Sequence, residues 1–508
     1  MSNRKLSRVL VSVYYKDNLE PIIHLLAQHG VEFISTGGTQ EFIEKLGYPV
    51  TPVEKMTGYP SIFGGRVKTL HPAVFGGILY RRDDDTDVKQ ASEYQIGPID
   101  LVIVDLYPFE ETVAKGSAED EIIEKIDIGG ISLIRGAAKN FNDVLIVSSR
   151  TQYAEVLELL KNKHCTSDLA DRKRFAAMAF DVTSHYDTSI FHYFQQSHDL
   201  PGFKVSVQGG KALRYGENPH QKAVFYGDLP GLFDQLNGKE LSYNNLVDVD
   251  AAISLIKEFE GETAFVIIKH TNACGVAIAP SVREAYQKAF QADTLSAFGG
   301  VLATNKPIDL PAAEVMNSLF FEILIAPGFA DDALLLLKSK KNRILLKQKK
   351  TVTPQKQVKS LLDGFIEQDT DWKTDAIKDL KVVTKRAPSP AEVKGLLFAS
   401  KICKHTKSNT IVLTSESQLL ASGVGQTSRV DSLKQAIEKA KSFGFSLAGA
   451  SMASDAFFPF PDCVEIAGRE GIQAVIQPGG SIKDQDSINF CDQHNMAMVF
   501  TGFRHFKH

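Results

Sequence analysis

Two titratable residues stand side by side in Val266-Ile267-Ile268-Lys269-His270-Thr271-Asn272-Ala273-Cys274-Gly275, after three β-favouring apolar residues. An imidazole titrates near neutral pH and can move a proton, while an ammonium can hold charge beside it. Side chains alternate along an extended chain, so Lys269 and His270 point to opposite sides if the strand runs through both. A twist there would bring both to the rim of a cleft at the strand's carboxyl end. The alternative is a capped strand end with an exposed Lys and a hydrogen-bonded His. Thr36-Gly37-Gly38-Thr39 joins a strand to a helix start. Its glycines let backbone N–H groups approach an anion, and its hydroxyls add donors, which makes a phosphate cradle or a plain turn. Gly64-Gly65-Arg66-Val67-Lys68-Thr69-Leu70-His71-Pro72 concentrates cations. In extended backbone Arg66 and Lys68 share a face and can clamp one anion; otherwise they form a solvated basic turn.

Further candidates sit in loops. Tyr107 precedes Pro108 at a strand end, Asp127 precedes Gly129-Gly130, and Arg135 and Lys139 fall at i, i+4 on one helix face. Leu213-Arg214-Tyr215-Gly216-Glu217-Asn218-Pro219-His220-Gln221 and Leu241–Asp248 are rich in functional side chains, as binding loops are. Ser454–Asp462 sets Phe457, Phe458 and Phe460 between prolines, either a lid over the core or a stacking platform for a flat ligand. Gln477-Pro478-Gly479-Gly480-Ser481 is another anion-friendly turn, and Arg504-His505-Phe506-Lys507-His508 is a bland terminus unless docked.

The elements that must position these groups follow from length and pattern. At 508 residues, 43% hydrophobic and 23% charged, the chain is an ordinary soluble protein of several domains. A net charge of −4 argues against a nucleic-acid surface. No apolar run follows the polar Met1–Lys5 or approaches membrane length. Five scattered cysteines without CxxC exclude a disulfide framework and suit a reducing cytoplasm. Strands Arg8–Val13, Val31–Ser35, Asp100–Leu106 and Asp143–Val147 alternate with helices Asn18–Gln28, Gln40–Leu46 and Ile131–Lys139. The alternation predicts a parallel, Rossmann-like sheet of about five strands with ligands at its carboxyl edge. Leu159–Gln196 reads as helical, and Asp199-Leu200-Pro201-Gly202 as a boundary. Beyond it, Asp248 caps a helix Val249–Phe259, and Lys338–Lys359 reads as a solvated linker or insertion. From Val382–Pro388 a strand, the helix Ala391–Lys404, the strand Thr410–Leu413 and a helix opening at Arg429 look like a second copy of one unit.

GGRVKTLHP, LYPFE, IDIGG, RYGENPHQ, KHTNACG, SAFGG, IAPGF, KSN, SDAFFPFPD, QPGGS and RHFKH occur in order from end to end. In these segments the chain resembles the bifunctional purine-biosynthesis family that joins AICAR (phosphoribosylaminoimidazolecarboxamide) formyltransferase to IMP cyclohydrolase. The resemblance implies an α/β architecture: a methylglyoxal-synthase-like cyclohydrolase domain over 1–200, then a formyltransferase region over 201–508. That region holds two cytidine-deaminase-like subdomains, about 201–380 and 381–508. It implies a cytoplasmic homodimer with shared transferase sites, 10-formyltetrahydrofolate as co-substrate, and no metal. By residue match, His270 is the general base, Lys269 stabilises developing charge, and Asn409 orients carboxamide and formyl group. Phe457 packs on the imidazole, and Arg214, Tyr215, Gly299, Arg504 and Phe506 belong to the AICAR site. Folate packs near Arg429, Val430, Pro459 and Phe460. Lys68, Tyr107, Asp127 and Lys139 handle protons in ring closure, and Ser12, Lys16, Thr36, Gly37, Gly38, Thr39, Arg66 and Thr69 hold the nucleotide.

Four positions depart from the commoner pattern. Tyr14-Tyr15-Lys16 replaces Ser-Asp-Lys, Asp105 stands where many relatives carry Asn, Ala273 replaces Pro, and Cys463 replaces a smaller or amide residue. Two rival readings are a zinc deaminase, which needs an HxE ligand-plus-acid and a PCxxC pair where this sequence has no CxxC, and a phosphate-binding regulatory module without turnover.

Overall fold

The computed structural model describes residues 3–196, 200–351 and 353–508. Residues up to Gln208 form one compact unit and Gly209–His508 a second. Asp199, in the sequence-predicted boundary, lies outside the described residues.

In the first unit, short β-branched runs form a five-stranded sheet. Its order is Val50–Pro52, Glu32–Ser35, Arg8–Ser12, Leu101–Val104, Leu145–Val147, and every pair is parallel. Val9, Leu10, Val11, Val102 and Ile103 are fully buried, as strands with both faces covered require. The helix after the glycine turn begins at Gly37, three residues earlier than expected, so the turn is itself the helix's first turn. The expected continuous helix Leu159–Gln196 is broken. Tyr153–Asn162 ends, Thr166–Ser167 forms a short strand, and Leu169–Gln195 starts afresh from an Asp168 capping box.

The second unit contains two six-stranded mixed sheets. One runs Phe233–Asn237, Ile344–Gln348, Ile323–Ala326, Val301–Thr304, Ala264–Lys269, Asn272–Ile278. The other runs Lys381–Val382, Ala497–Phe500, Ala474–Gln477, Ser451–Ser454, Ile411–Thr414, Leu419–Gly423. Numbered along the chain, both have the strand order 1-6-5-4-2-3, with the same parallel central pairs and antiparallel outer ones. The second copy read in the sequence is therefore a repeated topology.

Two expectations need correction. Lys338–Lys359 is not wholly a linker, because Ile344, Leu345 and Leu346 are fully buried in the first of these sheets. The lysines flank that strand, and their abundance masked three core residues. The expected Asp248 cap is instead Ser242, whose capping box with Asn245 starts the helix Tyr243–Ile256 and leaves Asp248 inside it. Among the described residues no helix is long and apolar enough to cross a membrane.

Candidate functional sites

In the first unit the predicted residues gather at the carboxyl edge of the parallel sheet. Ser12 ends its central strand, and the next residues meet the glycine turn. Thr39 Oγ1 accepts from Val13 N at 3.1 Å and donates to Val13 O at 2.9 Å. Gly37 has φ +54°, and a Cβ there would lie 3.8 Å from Lys68 Nζ. The Lys68 ammonium thus faces the N-terminus of the helix Gly37–Lys45, where N–H groups are unpaired and the dipole favours an anion. Lys16 donates to Val13 O and Tyr14 O at 2.7 and 2.9 Å. Burial, then the nearby Lys68 charge, lowers the Lys16 pKa. Two ammonium groups and a helix start therefore converge where a phosphate would be neutralised.

Arg66 does not share this face. It stands in helical backbone closing the turn Phe63–Gly65, and its guanidinium pairs with Glu124, so the expected Arg66–Lys68 clamp is not formed. Thr69 is buried, and its Oγ1 lies 3.0 Å from where a Gly129 Cβ would stand.

Asp127 is buried at the opening of the helix Gly129–Lys139. Its Oδ1 accepts from Gly130 N at 2.6 Å, and its own N–H donates to Tyr186 Oη at 2.8 Å. Burial raises its carboxyl pKa, against the opposing bonds from the Gly130 and Tyr107 amides and the Lys68 charge. Burial and the neighbouring Asp127 and Asp105 likewise raise the Tyr107 phenol. Lys68, Tyr107 and Asp127 form one electrostatic cluster. Lys139 ends the same helix, roughly 15 Å along its axis from the start, and is not brought into that cluster.

Two of the four departures found in the sequence, Tyr14-Tyr15 and Asp105, are neighbours here. The Asp105 carboxylate accepts from the Tyr14 and Tyr15 amides, and the Tyr14 ring meets Tyr107 edge-on at 5.7 Å. Sequence reasoning did not foresee Tyr186, because its link to Asp127 joins positions 59 residues apart.

In the second unit the strand Ala264–Lys269 stops at its lysine. His270 and Thr271 have φ +51° and +64° and form the two-residue link to Asn272–Ile278; positive φ at both central positions is the hairpin geometry that matches strand twist. The turn lifts His270 into solvent, while Lys269 is half-buried. Lys269 Nζ donates to Phe298 O at 2.9 Å and lies 3.1 Å from where a Gly299 Cβ would stand, so a side chain there would crowd the ammonium. Beneath the turn, Asp248 Oδ1 accepts from Thr271 N at 2.7 Å. Burial raises the Asp248 pKa, and the His270 and Lys269 charges oppose the shift. Asn272 Oδ1 accepts from Lys407 N at 3.2 Å, tying the hairpin to the loop that carries Asn409.

Asn409 Nδ2 donates to Gln426 O and Thr427 O at 3.0 and 3.3 Å, which turns its amide oxygen into the group on offer. Arg429 opens the helix Arg429–Ser442, with Val430 packed on the core. Its guanidinium binds Ser454 Oγ at 3.3 Å and Asp455 Oδ1 at 3.1 Å. Along the aromatic loop Phe458 is fully buried, while Phe457, Pro459 and Phe460 are exposed. Two guanidiniums stand over the Phe506 ring, Arg504 at 4.4 Å and Arg429 at 5.7 Å from its centroid. Arg214 stacks on Tyr215 at 5.6 Å, on a loop tied to the helix Tyr243–Ile256 by Asn244 Nδ2 and Glu217 O. The Gln477–Ser481 turn already binds an anion of its own, since Gly480 N and Ser481 N donate to Asp484 Oδ2 at 2.7 and 3.0 Å.

The family model described as AICARFT/IMPCHase bienzyme matches residues 137–439, and that of the MGS-like domain matches 18–132. The chain belongs to the AICARFT/IMPCHase bienzyme family. It is 60% identical over 506 residues to the bifunctional purine biosynthesis protein PurH of Bacteroides thetaiotaomicron, covering 100% of this chain and 99% of that protein. The proteins of the same name from Chlorobium chlorochromatii and Aquifex aeolicus are 47% and 45% identical, covering 100% and 99% of this chain and all of each relative. The AICARFT/IMPCHase resemblance seen in the motifs thus extends over the full length.

Proposed function

We propose that the two activities of this bifunctional AICAR formyltransferase and IMP cyclohydrolase divide between the units, formyl transfer in Gly209–His508 and ring closure in the residues before them. They are the last two steps of purine (IMP) synthesis. The observation that carries the first assignment is the hairpin tip that presents His270 beside a Lys269 ammonium held over Gly299.

The 5-amino group of AICAR is conjugated with a carboxamide and is a poor nucleophile. His270 takes its proton as the nitrogen attacks the formyl carbon of 10-formyltetrahydrofolate. Lys269 stabilises the oxyanion of the tetrahedral adduct. The adduct then collapses, the folate nitrogen leaves with the proton returned by the imidazolium, and formyl-AICAR remains. Asn409 accepts from the carboxamide N–H, Phe457 covers the imidazole, and Arg504 and Phe506 hold the ribose phosphate. The folate packs on Arg429, Val430, Pro459 and Phe460. Arg214 and Tyr215 complete the phosphate site in a homodimer whose subunits share these sites.

In ring closure the carboxamide nitrogen attacks the formyl carbon, and the former formyl oxygen departs as water with one hydrogen from each reacting nitrogen. Asp127 accepts the carboxamide proton, while Lys68 and Tyr107 donate to the oxygen as its charge grows. Ser12, Lys16, Thr36–Thr39 and Thr69 hold the phosphate and nucleotide. Arg66, paired with Glu124 in this structure, joins them from the rim. These steps use the chain's own acids and bases and need no metal. Cytoplasmic placement is supported by five cysteines, all buried and unpaired.

Incubation with AICAR and 10-formyltetrahydrofolate should yield tetrahydrofolate and IMP together. A folded preparation that releases neither would overturn the assignment.

A further inference from the structure

The last residues alternate in exposure: Arg504, Phe506 and His508 face outward, His505 is buried and Lys507 is half-buried. The His505 ring lies between two carboxylates of one segment, Nδ1 2.6 Å from Asp371 Oδ2 and Nε2 3.6 Å from Asp375 Oδ2. Asp375 in turn accepts from Ser400 Oγ at 2.5 Å, on the helix Pro390–Lys404. The His505 amide donates to Asp455 O at 3.0 Å. Two residues on, the Lys507 amide donates to Ser408 Oγ at 3.0 Å, and Lys507 Nζ to His405 O at 3.0 Å.

We propose that His505 is a positioning residue for formyl transfer: clamped as an imidazolium between Asp371 and Asp375, it docks the tail so that Arg504 and Phe506 reach the AICAR phosphate. The inference rests on the role given to Arg504 and Phe506 above.

Nδ1 is hydrogen-bonded to Asp371 and Nε2 stands at ion-pair distance from Asp375; a neutral imidazole carries one N–H and an imidazolium two, so carboxylates on both sides favour the charged ring. Asp371 and Asp375 face the ring from their shared segment. Lys404 acts on Asp371 from the helix, and the Arg429–Asp455 pair stands on the side of the aromatic loop. Burial by itself lowers the His505 pKa, but the bond to Asp371 and the charges of Asp371 and Asp375 outweigh it and leave the group at about 9. A histidine whose folded pKa exceeds its unfolded one stabilises docking fully below pH ~6.5, and that contribution is lost as pH rises through the folded value.

The test is steady-state formyl transfer with AICAR and 10-formyltetrahydrofolate from neutral to alkaline pH, on wild type, His505→Gln, Asp371→Asn and Arg504→Ala. Wild type should show the AICAR KM rising as pH passes about 9. His505→Gln should raise that KM on the order of 10-fold at neutral pH, change kcat less, and lose the alkaline rise. Asp371→Asn, which keeps the ring, should move the rise to lower pH, and it decides the matter if His505→Gln fails to fold. Cyclisation of supplied formyl-AICAR should stay unchanged in both. A normal AICAR KM and pH profile in the clamp variants, with Arg504→Ala impaired, overturns the clamp alone. An unimpaired Arg504→Ala overturns the role of the tail and the clamp with it.

Discussion

His270 owes its place to backbone geometry rather than to packing. A hairpin turn with positive φ holds it in solvent, and Asp248 fixes that turn from below through the Thr271 amide. Replacing His270 by Ala should therefore leave the fold intact and lower formyl transfer by ~10²- to 10⁴-fold, the usual weight of a positioned base. Cyclisation of supplied formyl-AICAR should persist, and loss of both activities in a folded variant would contradict separate sites. Asp127 allows a second test. Burial raises its pKa, so its basic form is lost as pH falls at values above the ~3.9 of an exposed Asp. The acid limb of cyclisation should sit correspondingly high, and Asp127→Asn should be slow at every pH. At this scale, adjacent groups such as Lys269 and His270 were legible because their chemistry is local. Asp248, 23 residues from the amide it holds, was not, since no spacing rule links a helix interior to a distant turn.

Elements were legible where pattern and composition agreed. The parallel sheet of the first unit follows from apolar runs alternating with helices, and the boundaries of those elements moved by only a few residues. They disagreed at Ile344–Gln348, where lysines on either side hid Ile344, Leu345 and Leu346 in the interior of a sheet. Hydrophobic burial acts residue by residue, so three buried side chains outweigh a polar neighbourhood. Leu345→Ala should cost about 2–5 kcal/mol, measured by denaturant unfolding. A change below ~0.5 kcal/mol, the range of surface substitutions, would return the stretch to the status of a linker. The Arg66–Lys68 clamp failed for a related reason. It assumed extended backbone, whereas a helical turn at Arg66 sends the two cations apart, one to Glu124 and one to the glycine turn.

At the scale of the whole molecule, the residues proposed for the two reactions fall in two compact units of one chain, each proposed set of acids and bases within its own unit. On that proposal His270→Ala and Asp127→Asn should damage different steps of one sequence. Given AICAR and 10-formyltetrahydrofolate, the Asp127→Asn chain should form formyl-AICAR up to its equilibrium level and stop. The His270→Ala chain should release no tetrahydrofolate, yet convert added formyl-AICAR to IMP. Mixed in equal amounts, the two should make IMP from AICAR after a lag, because the intermediate made by one chain can diffuse to the other. The lag should shorten as total protein rises, since transfer between chains is bimolecular. If each variant keeps its own partial reaction but the mixture yields no IMP, the steps are coupled within one chain, and a division of labour between independent units is wrong.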